Sequence, residues 1–270
     1  MAYPPPNHYL SDLGLALMPG DGESRVAIAI EPALCAPGGG VFLGVLATAI
    51  DMAAGSLSRR AVEPDWVATS DIAIDLATPL PPGPGWVECR LARRGRGLVS
   101  FDVDLSAGDR PGDGAGPCGF ATAAFSVLPN PGREQGGERR DGATAVHPAD
   151  GPAPARPRRR LPLGERLGIR VLDAAAGRVE LELDDYVRNT FGALQGGAVA
   201  VLAEAAILAA TRSPLSGLAV RYRSLGRRGP FRTTIETLPG KLATLVRARV
   251  RDDGAEGALV AVATGRLAPR

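Results

Sequence analysis

The sequence predicts an α+β fold in which one structural unit, an antiparallel β-sheet wrapped around a long central helix, occurs twice. Two stretches, 41–61 and the run that follows Gly196, have helical composition and are apolar nearly all round, so each helix is expected to be buried on every side. Each stretch is preceded by two segments with strand periodicity and followed by three or four more. Antiparallel strands that curl around an apolar helix bury it in this way.

The first unit is predicted within residues 1–128. Two strands at 13–18 and 24–31 are joined by a Gly-Asp-Gly turn. The helix that follows a glycine-rich loop carries one acid, Asp51. The prolines and glycines at 81–85 predict a break between the first two strands after this helix. The four strands expected there are 66–77, 86–92, 98–105 and 120–128.

A linker is predicted between the two units. Residues 129–160 are rich in proline, glycine and charge and show no periodicity, which is typical of a mobile connection. The second unit is predicted at 161–270, where the order of strands and helix in the first unit is repeated.

The repeat has two offsets, one up to the long helix and a shorter one after it. The loop behind the helix is therefore about seven residues shorter in the second copy, since the offset falls from 153 to 146. The matching positions are Val26 and Val179 (179 − 26 = 153), Asp51 and Glu204 (204 − 51 = 153), and Asp71 and Gly217 (217 − 71 = 146).

Composition excludes several classes of protein. The 270 residues are 45% hydrophobic and 22% charged, which is typical of a globular chain with a real core. A net charge of +2 argues against a nucleic-acid partner. Cys35, Cys89 and Cys118 are far apart and odd in number, so they predict neither a metal site nor a disulfide framework and favour the cytoplasm.

Neither a membrane span nor histidine chemistry is expected. The apolar run 191–211 nearly reaches the length of a span, but Gln195 and Glu204 lie inside it. The N-terminus lacks the basic start and apolar core of a signal peptide. His8 and His147, the only histidines, lie in terminal or proline-rich segments, which argues against a Cys-His dyad, a zinc site and an Asp-His hydratase pair.

The start of the second long helix carries the most informative motif. Its pattern is N-x-x-G-x-x-Q-G-G, followed by an acid eight residues after the first of the paired glycines. Together with the strand order, this motif resembles the hotdog fold, and in particular acyl-CoA thioesterases of the phenylacetyl-CoA thioesterase type. The resemblance extends more loosely to the first unit and so covers nearly the whole chain except the linker. The motif residues are Asn189, Gly192, Gln195, Gly196, Gly197 and Glu204.

The resemblance implies hydrolysis of an acyl-CoA thioester to free acid and CoA, in a site shared between two hotdog units. One unit of the family supplies an asparagine and a glycine amide at the helix start, and the other supplies an acid and, about 18 residues later, a serine or threonine. This chain has one complete set. Asn189 and Gly196 come from the second unit, and Asp51 and Thr69 (69 − 51 = 18) come from the first.

The converse set is incomplete. The first unit has Ala36 where the asparagine is expected (189 − 153) and Leu43 where the glycine is expected (196 − 153). Glu204 is the candidate catalytic acid of this set, but Ser213 or Ser216 would serve as its partner only with a shifted loop. We therefore expect one working site and one decayed pseudo-site that contains Glu204.

Each residue of the working set has an expected role and a structural alternative. The Gly196 amide would stabilise the oxyanion, and Asn189 would donate to the same oxygen or orient the water, although asparagine also suits a turn. Asp51 would activate water or attack the thioester itself, and Thr69 would hold the water or the carboxylate. The alternatives are tight helix packing for Gly196, a capping role or an arginine partner for Asp51, and an ordinary strand position for Thr69.

Two further residues are expected at the substrate. Gly197 would line the site or serve only close helix packing, and Gln195 stands where the family often has histidine, which limits it to hydrogen bonding. No cofactor is expected beyond the CoA of the substrate, and double-hotdog chains would form homo-oligomers in some cases. A non-catalytic module that binds acyl-CoA or another acyl ligand is the alternative function, because the converse set is lost.

Overall fold

A computed structural model describes residues 4–5, 7–109, 117–130 and 161–268. The helices in these ranges are α1 (Tyr9–Asp12), α2 (Leu43–Val62), α3 (Leu163–Leu167) and α4 (Gly196–Thr211). The strands of the first half are β1 (Leu15–Pro19), β2 (Glu23–Ile30), β3 (Trp66–Leu76), β4 (Gly83–Arg94), β5 (Leu98–Ala107) and β6 (Pro117–Leu128). Those of the second half are β7 (Arg170–Asp173), β8 (Arg178–Leu181), β9 (Leu215–Tyr222), β10 (Phe231–Leu238), β11 (Leu245–Asp252) and β12 (Ala258–Leu267).

The described strands form one antiparallel sheet built from two equivalent halves. Their order is β1-β2-β4-β5-β6-β3 and then, reversed, β9-β12-β11-β10-β8-β7. Helix α2 packs against all six strands of the first half, α4 packs against β8 to β12, and the two helices also pack against each other. The predicted α+β fold of two units, each a sheet around a long helix, is confirmed.

A pseudo-two-fold axis passes between the central strands β3 and β9. Ala73 of β3 pairs with Ala219 of β9, and these are equivalent residues of the two copies because 219 − 73 = 146. A residue that pairs with its own counterpart lies on the symmetry axis. Across the same seam, Arg221 Nε lies 3.6 Å from Asp71 Oδ2. The units therefore form a pseudo-dimer within one chain.

Two equivalent glycines allow the long helices to approach closely. A Cβ atom on Gly44 would lie 2.6 Å from the backbone nitrogen of Val201, and one on Gly197 would lie 1.8 Å from Thr48 Oγ1. Gly44 and Gly197 are related by the offset of 153, as are Thr48 and Val201 (201 − 48 = 153). The packing alternative for Gly197 therefore has a direct geometric reason.

Most element boundaries match the sequence-based expectation, with one clear difference. Strand β4 begins at Gly83, inside the segment predicted as a break. Proline has no N–H group and is therefore tolerated where one side of a strand is unpaired. At Pro84 strand β4 pairs only with β2, and the pairing of β4 with β5 begins at Gly85. Residues 131–160 of the predicted linker lie outside the described residues, so the boundary at 129–160 stays a prediction. In the described ranges, no helix is both long and apolar enough to span a membrane.

Candidate active site

Asp51 and Thr69 are in direct contact. Asp51 lies on α2 and is partly accessible to solvent, and Thr69 Oγ1 donates a hydrogen bond of 2.5 Å to its Oδ1. Burial raises the pKa of Asp51 to about 6, and the hydrogen bond from Thr69 lowers it in part. The carboxylate is therefore a stronger base than an exposed aspartate, yet it is mostly ionised at neutral pH.

A β-bulge explains how Thr69 reaches the helix. The register of β3 against β6 skips Ser70, since Thr69 pairs with Phe125 and Asp71 with Ala124. Successive side chains of a regular strand alternate between its two faces, so one extra residue moves Thr69 to the face that carries Ile72. That face is buried against the core, where α2 lies.

Asn189 lies in a loop that has an equivalent in the first unit. The bridge between Arg188 and Leu194 repeats the bridge between Cys35 and Val41 at the offset of 153 (188 − 35 and 194 − 41). Asn189 Oδ1 accepts hydrogen bonds from the backbone N–H groups of Phe191 (2.9 Å) and Ala193 (3.0 Å) and so stabilises the loop. Its amide nitrogen Nδ2 has no partner within the described residues and keeps its donors free.

The first N–H groups of α4 are also free. Gln195 is the N-cap of this helix, and its Oε1 accepts a hydrogen bond of 3.1 Å from the N–H of Ala198. In the part of the chain that the structure describes, the N–H groups of Gly196 and Gly197 have no hydrogen-bond partner. Unpaired N–H groups at a helix N-terminus, reinforced by the helix dipole, favour an anion.

The equivalent N–H groups of α2 are occupied by Glu204. This side chain is 1% exposed, and its Oε1 and Oε2 accept hydrogen bonds from the N–H groups of Leu43 (3.1 Å) and Gly44 (2.8 Å). These residues correspond to Gly196 and Gly197, since 196 − 43 and 197 − 44 both equal 153. Glu204 is one methylene longer than Asp51, which makes no such bond among the described residues.

The pseudo-site, which comprises Glu204, Leu43 and Gly44, has no hydroxyl partner for its acid among the described residues. Ser213 Oγ donates to the carbonyl of Thr211, and Ser216 Oγ to the carbonyls of Arg266 and Leu267, so neither bonds Glu204. The position equivalent to Thr69 is an apolar residue, Leu215 (215 − 69 = 146).

Tyr222 is a site residue that the sequence reasoning missed. Its hydroxyl donates a hydrogen bond of 2.9 Å to the carbonyl of Gly196, and burial, with a smaller contribution from the charge of Asp51, raises the pKa of the phenol. The counterpart of Tyr222 is Leu76 (222 − 76 = 146), and the exchange of an apolar residue for a tyrosine within the repeat was an available signal.

An aromatic pair links the two units near these residues. Trp66 begins β3, three residues before Thr69, and Phe191 lies in the Asn189 loop, with ring centroids 5.9 Å apart. Both rings are partly exposed, at 43% and 36%. Neither aromatic residue is one of the motif positions from which the site residues were predicted.

A separate cavity of about 370 Å³ lies on the second half of the sheet, away from the residues described so far. Its arginines already have protein partners, because Arg178 pairs with Asp173 and Arg232 pairs with Glu180 and Asp253. In the described ranges no group of three or more His, Cys, Asp or Glu residues is arranged to hold a metal ion. Asp51, Thr69, Asn189 and Gly196 remain the predicted set for the candidate active site.

We expect the Glu204→Gln variant to change how stability depends on pH. Burial raises the pKa of Glu204 from 4.5 to about 7, offset in part by the bonds from Gly44 and Leu43. Between these values the folded state binds more protons than the unfolded chain, so wild-type stability falls as pH rises through the window. The variant lacks this loss, and its free energy of unfolding relative to wild type should increase from pH 5 to pH 8 in urea titrations.

The exposed Glu236 provides the control for this measurement. Hydrogen bonds and charges of Arg249 and Arg247 lower its pKa, so Glu236→Gln should not gain stability relative to wild type over the same range. A difference between Glu204→Gln and wild type that does not vary with pH would contradict the burial argument.

Comparison with known proteins supports a relation to thioesterases. Residues 38–112 match the family model of the Thioesterase superfamily. No curated protein matches the chain. The matched range contains α2 with Asp51 and the strand with Thr69.

Solved structures with the same fold cover almost the whole chain. An acyl-ACP thioesterase from Bacteroides thetaiotaomicron is 13% identical, with a TM-score of 0.60 over 92% of this chain and 98% of that one. A hot dog fold protein of unknown function from Alicyclobacillus acidocaldarius is 16% identical, with a TM-score of 0.59 over 97% of this chain and 99% of that one. A tesB protein of Mycobacterium avium subspecies paratuberculosis is 14% identical, with a TM-score of 0.59 over 96% of this chain and 98% of that one.

At these identities the structures establish the fold. Because they are covered almost completely, the match extends over both units of the chain. The resemblance to tandem hotdog-fold thioesterases is confirmed in its fold by these structures. Thioester hydrolysis as the general activity is supported by the family match at residues 38–112.

Proposed function

We propose that this double-hotdog chain hydrolyses an acyl-CoA thioester to the free acid and CoA, in one site built from both units. The observation that supports this proposal is the difference between the two helix starts. The N–H groups of Gly196 and Gly197 are free of partners in the described structure, whereas their counterparts in α2 hold the carboxylate of Glu204. One helix start is thus open to a ligand, and the other is filled by the protein.

Glu204 indicates what the open helix start would bind. Its two carboxyl oxygens each accept one hydrogen bond from the first two N–H groups of a long helix, so N–H groups at this position bind an oxygen acceptor of the substrate type. At α4 the thioester carbonyl oxygen would take this position, and glycine allows it to approach the backbone. A donor of this kind is worth roughly 3–4 kcal/mol in the transition state.

Asp51 would generate the nucleophile. As a general base it would take a proton from water, whose oxygen then bonds to the thioester carbon. The tetrahedral intermediate collapses with cleavage of the C–S bond, and CoA leaves as a thiolate that is then protonated. Direct attack by Asp51 to form an anhydride, which water then hydrolyses, uses the same contacts. In both routes Thr69 orients the carboxylate, and Asn189 Nδ2 donates to the carbonyl oxygen or to the water.

The pH dependence of the reaction should follow the ionisation of Asp51. Because the carboxylate must be deprotonated and its pKa is raised to about 6, kcat/KM should rise with pH through about 6 and then level off. Steady-state rates between pH 4.5 and 8 on a chemically stable acyl-CoA would measure this limb. A profile that is flat between pH 5 and 7 would contradict the role of Asp51.

The function itself is tested with two panels of substrates. The first contains acyl-CoAs with short, medium, long and aromatic acyl groups, and the second contains the same acyl groups on acyl carrier protein. Hydrolysis of CoA esters in preference to the carrier-protein esters would support the proposal. Turnover of the carrier-protein esters alone would still support thioester hydrolysis, but with acyl carrier protein rather than CoA as the carrier of the acyl group. Binding of CoA esters without any turnover would favour the non-catalytic acyl-binding module.

A further inference from the structure

Tyr222 holds the peptide unit at the start of α4. It is the last residue of β9, and its hydroxyl donates a hydrogen bond of 2.9 Å to the carbonyl oxygen of Gly196. Its ring is also close to Gly196, since a Cβ atom there would lie 3.6 Å from the phenol carbons and oxygen. Burial, together with the charge of Asp51, raises the pKa of Tyr222 well above its usual value, so the hydroxyl remains a donor.

This hydrogen bond acts on a neighbouring N–H group. The carbonyl of Gly196 and the N–H of Gly197 belong to the same planar peptide unit, so a bond to the oxygen also sets the direction of the N–H. Hydrogen bonding at the oxygen polarises the amide and strengthens its N–H as a donor. An anchor matters here because glycine residues on both sides leave the unit with the widest range of backbone conformations.

We propose that Tyr222 is a positioning residue that orients the Gly197 N–H as a second oxyanion donor beside Gly196. This inference rests on the proposed function. Gly44, the counterpart of Gly197 in the pseudo-site, shows that the second N–H group of the helix can hold an oxygen acceptor, because it donates to Glu204 Oε2 at 2.8 Å while the N–H of Leu43 donates to Oε1 at 3.1 Å.

The two halves of the chain differ at the position of Tyr222, as the positioning role predicts. The residue equivalent to Tyr222 in the first half is Leu76, which has no donor. The carbonyl of Leu43, equivalent to that of Gly196, receives no side-chain hydrogen bond from the described residues. The tyrosine therefore accompanies the helix start that is open and is missing from the one that Glu204 fills.

The first experiment compares two Tyr→Phe variants in steady-state hydrolysis. In Tyr222→Phe the ring remains and only the hydroxyl is lost, so kcat should fall about tenfold while KM stays within about twofold, since the ground-state thioester depends less on the donor than the oxyanion does. Tyr186→Phe is the matched control, because it also deletes a buried hydroxyl, which donates to Asp12. Its kcat should match wild type.

The second experiment observes the peptide unit without any substrate. Glycine labelled with ¹³C at the carbonyl and with ¹⁵N gives a one-bond correlation only at Gly-Gly peptides, of which the chain has four: 38–39, 39–40, 136–137 and 196–197. Loss of the bond to Gly196 should move the Gly197 correlation in Tyr222→Phe. The other three correlations should stay in place, and all four should stay in place in Tyr186→Phe.

The outcomes separate this inference from the proposed function. A lower kcat with a shifted Gly197 correlation supports the positioning role. An unchanged kcat, or a raised KM with unchanged kcat, overturns it, since Tyr222 would then be structural or would only bind substrate. If wild type hydrolyses no thioester, the proposed function fails, and the Gly197 correlation alone decides whether Tyr222 sets this amide.

Discussion

Asp51→Asn should lower kcat/KM for the preferred thioester by about 10³-fold, within the range for loss of a general base. Asparagine keeps the size of the side chain and can still accept the hydrogen bond from Thr69, which in the wild type is 2.5 Å long. It can neither take a proton from water nor attack the thioester. The expected loss is therefore in kcat, measured by release of free CoA thiol at saturating substrate, while the binding of substrate is largely kept.

Glu204→Gln is the matched control for this variant. It makes the same change of carboxylate to amide at the equivalent position of the other unit (204 − 51 = 153). If the site that contains Glu204 is a pseudo-site, this variant should retain most of the wild-type kcat. The reverse pattern, an active Asp51→Asn and an inactive Glu204→Gln, would show that the reaction takes place at the start of α2.

Gly197→Ala should lower the free energy of unfolding by about 2–3 kcal/mol, because it overpacks the contact between the two long helices. The new Cβ would lie 1.8 Å from Thr48 Oγ1 and 2.7 Å from Thr48 Cβ. Thr48 cannot turn away at low cost, since its hydroxyl donates to the carbonyl of Gly44 (2.7 Å) and is bonded to the hydroxyl of Tyr9 (2.8 Å). Chemical denaturation monitored by circular dichroism would measure the loss.

Gly55→Ala is the control substitution, at a helical glycine that lies away from the contact between α2 and α4. Gly55 lies within α2, and a Cβ there meets only the ring of Phe125, at 3.6 Å. Alanine has the higher helix propensity, so this variant should be as stable as wild type or more stable by up to about 1 kcal/mol. Equal losses in Gly197→Ala and Gly55→Ala would contradict the close approach of α2 and α4.

The internal repeat is the feature of the sequence that predicts most of the site. The offset of 153 places Asn189 opposite Ala36, and the structure has the same loop bonds at both, from Asn189 N–H to the Ala193 carbonyl and from Ala36 N–H to the Gly40 carbonyl. The spacing of 18 residues between Asp51 and Thr69 corresponds to a real hydrogen bond. Their catalytic roles stay predictions, because a hydrogen bond alone does not establish chemistry.

Other features depend on contacts between units that are far apart in the sequence. A bulge at Ser70 turns Thr69 towards α2, and strand periodicity alone would have placed Thr69 on the opposite face. Gln195 was expected at the substrate, and its oxygen caps α4. No local pattern indicates that the hydroxyl of Tyr222 bonds the carbonyl of Gly196, which is 26 residues away.

By itself, the sequence determined that the chain contains two copies of one unit, which elements each copy has, and which acid corresponds to which. Periodicity and self-similarity are properties of the linear chain, so they can be measured on it directly. Only the tertiary structure decided that Glu204 fills the α2 start, whereas the first two N–H groups of α4 have no partner among the described residues. Glu204 has one methylene more than Asp51, and its carboxyl group bonds two N–H groups about 160 residues away in the chain (204 − 44 = 160). Whether the carboxyl group reaches these N–H groups depends on how the two units pack.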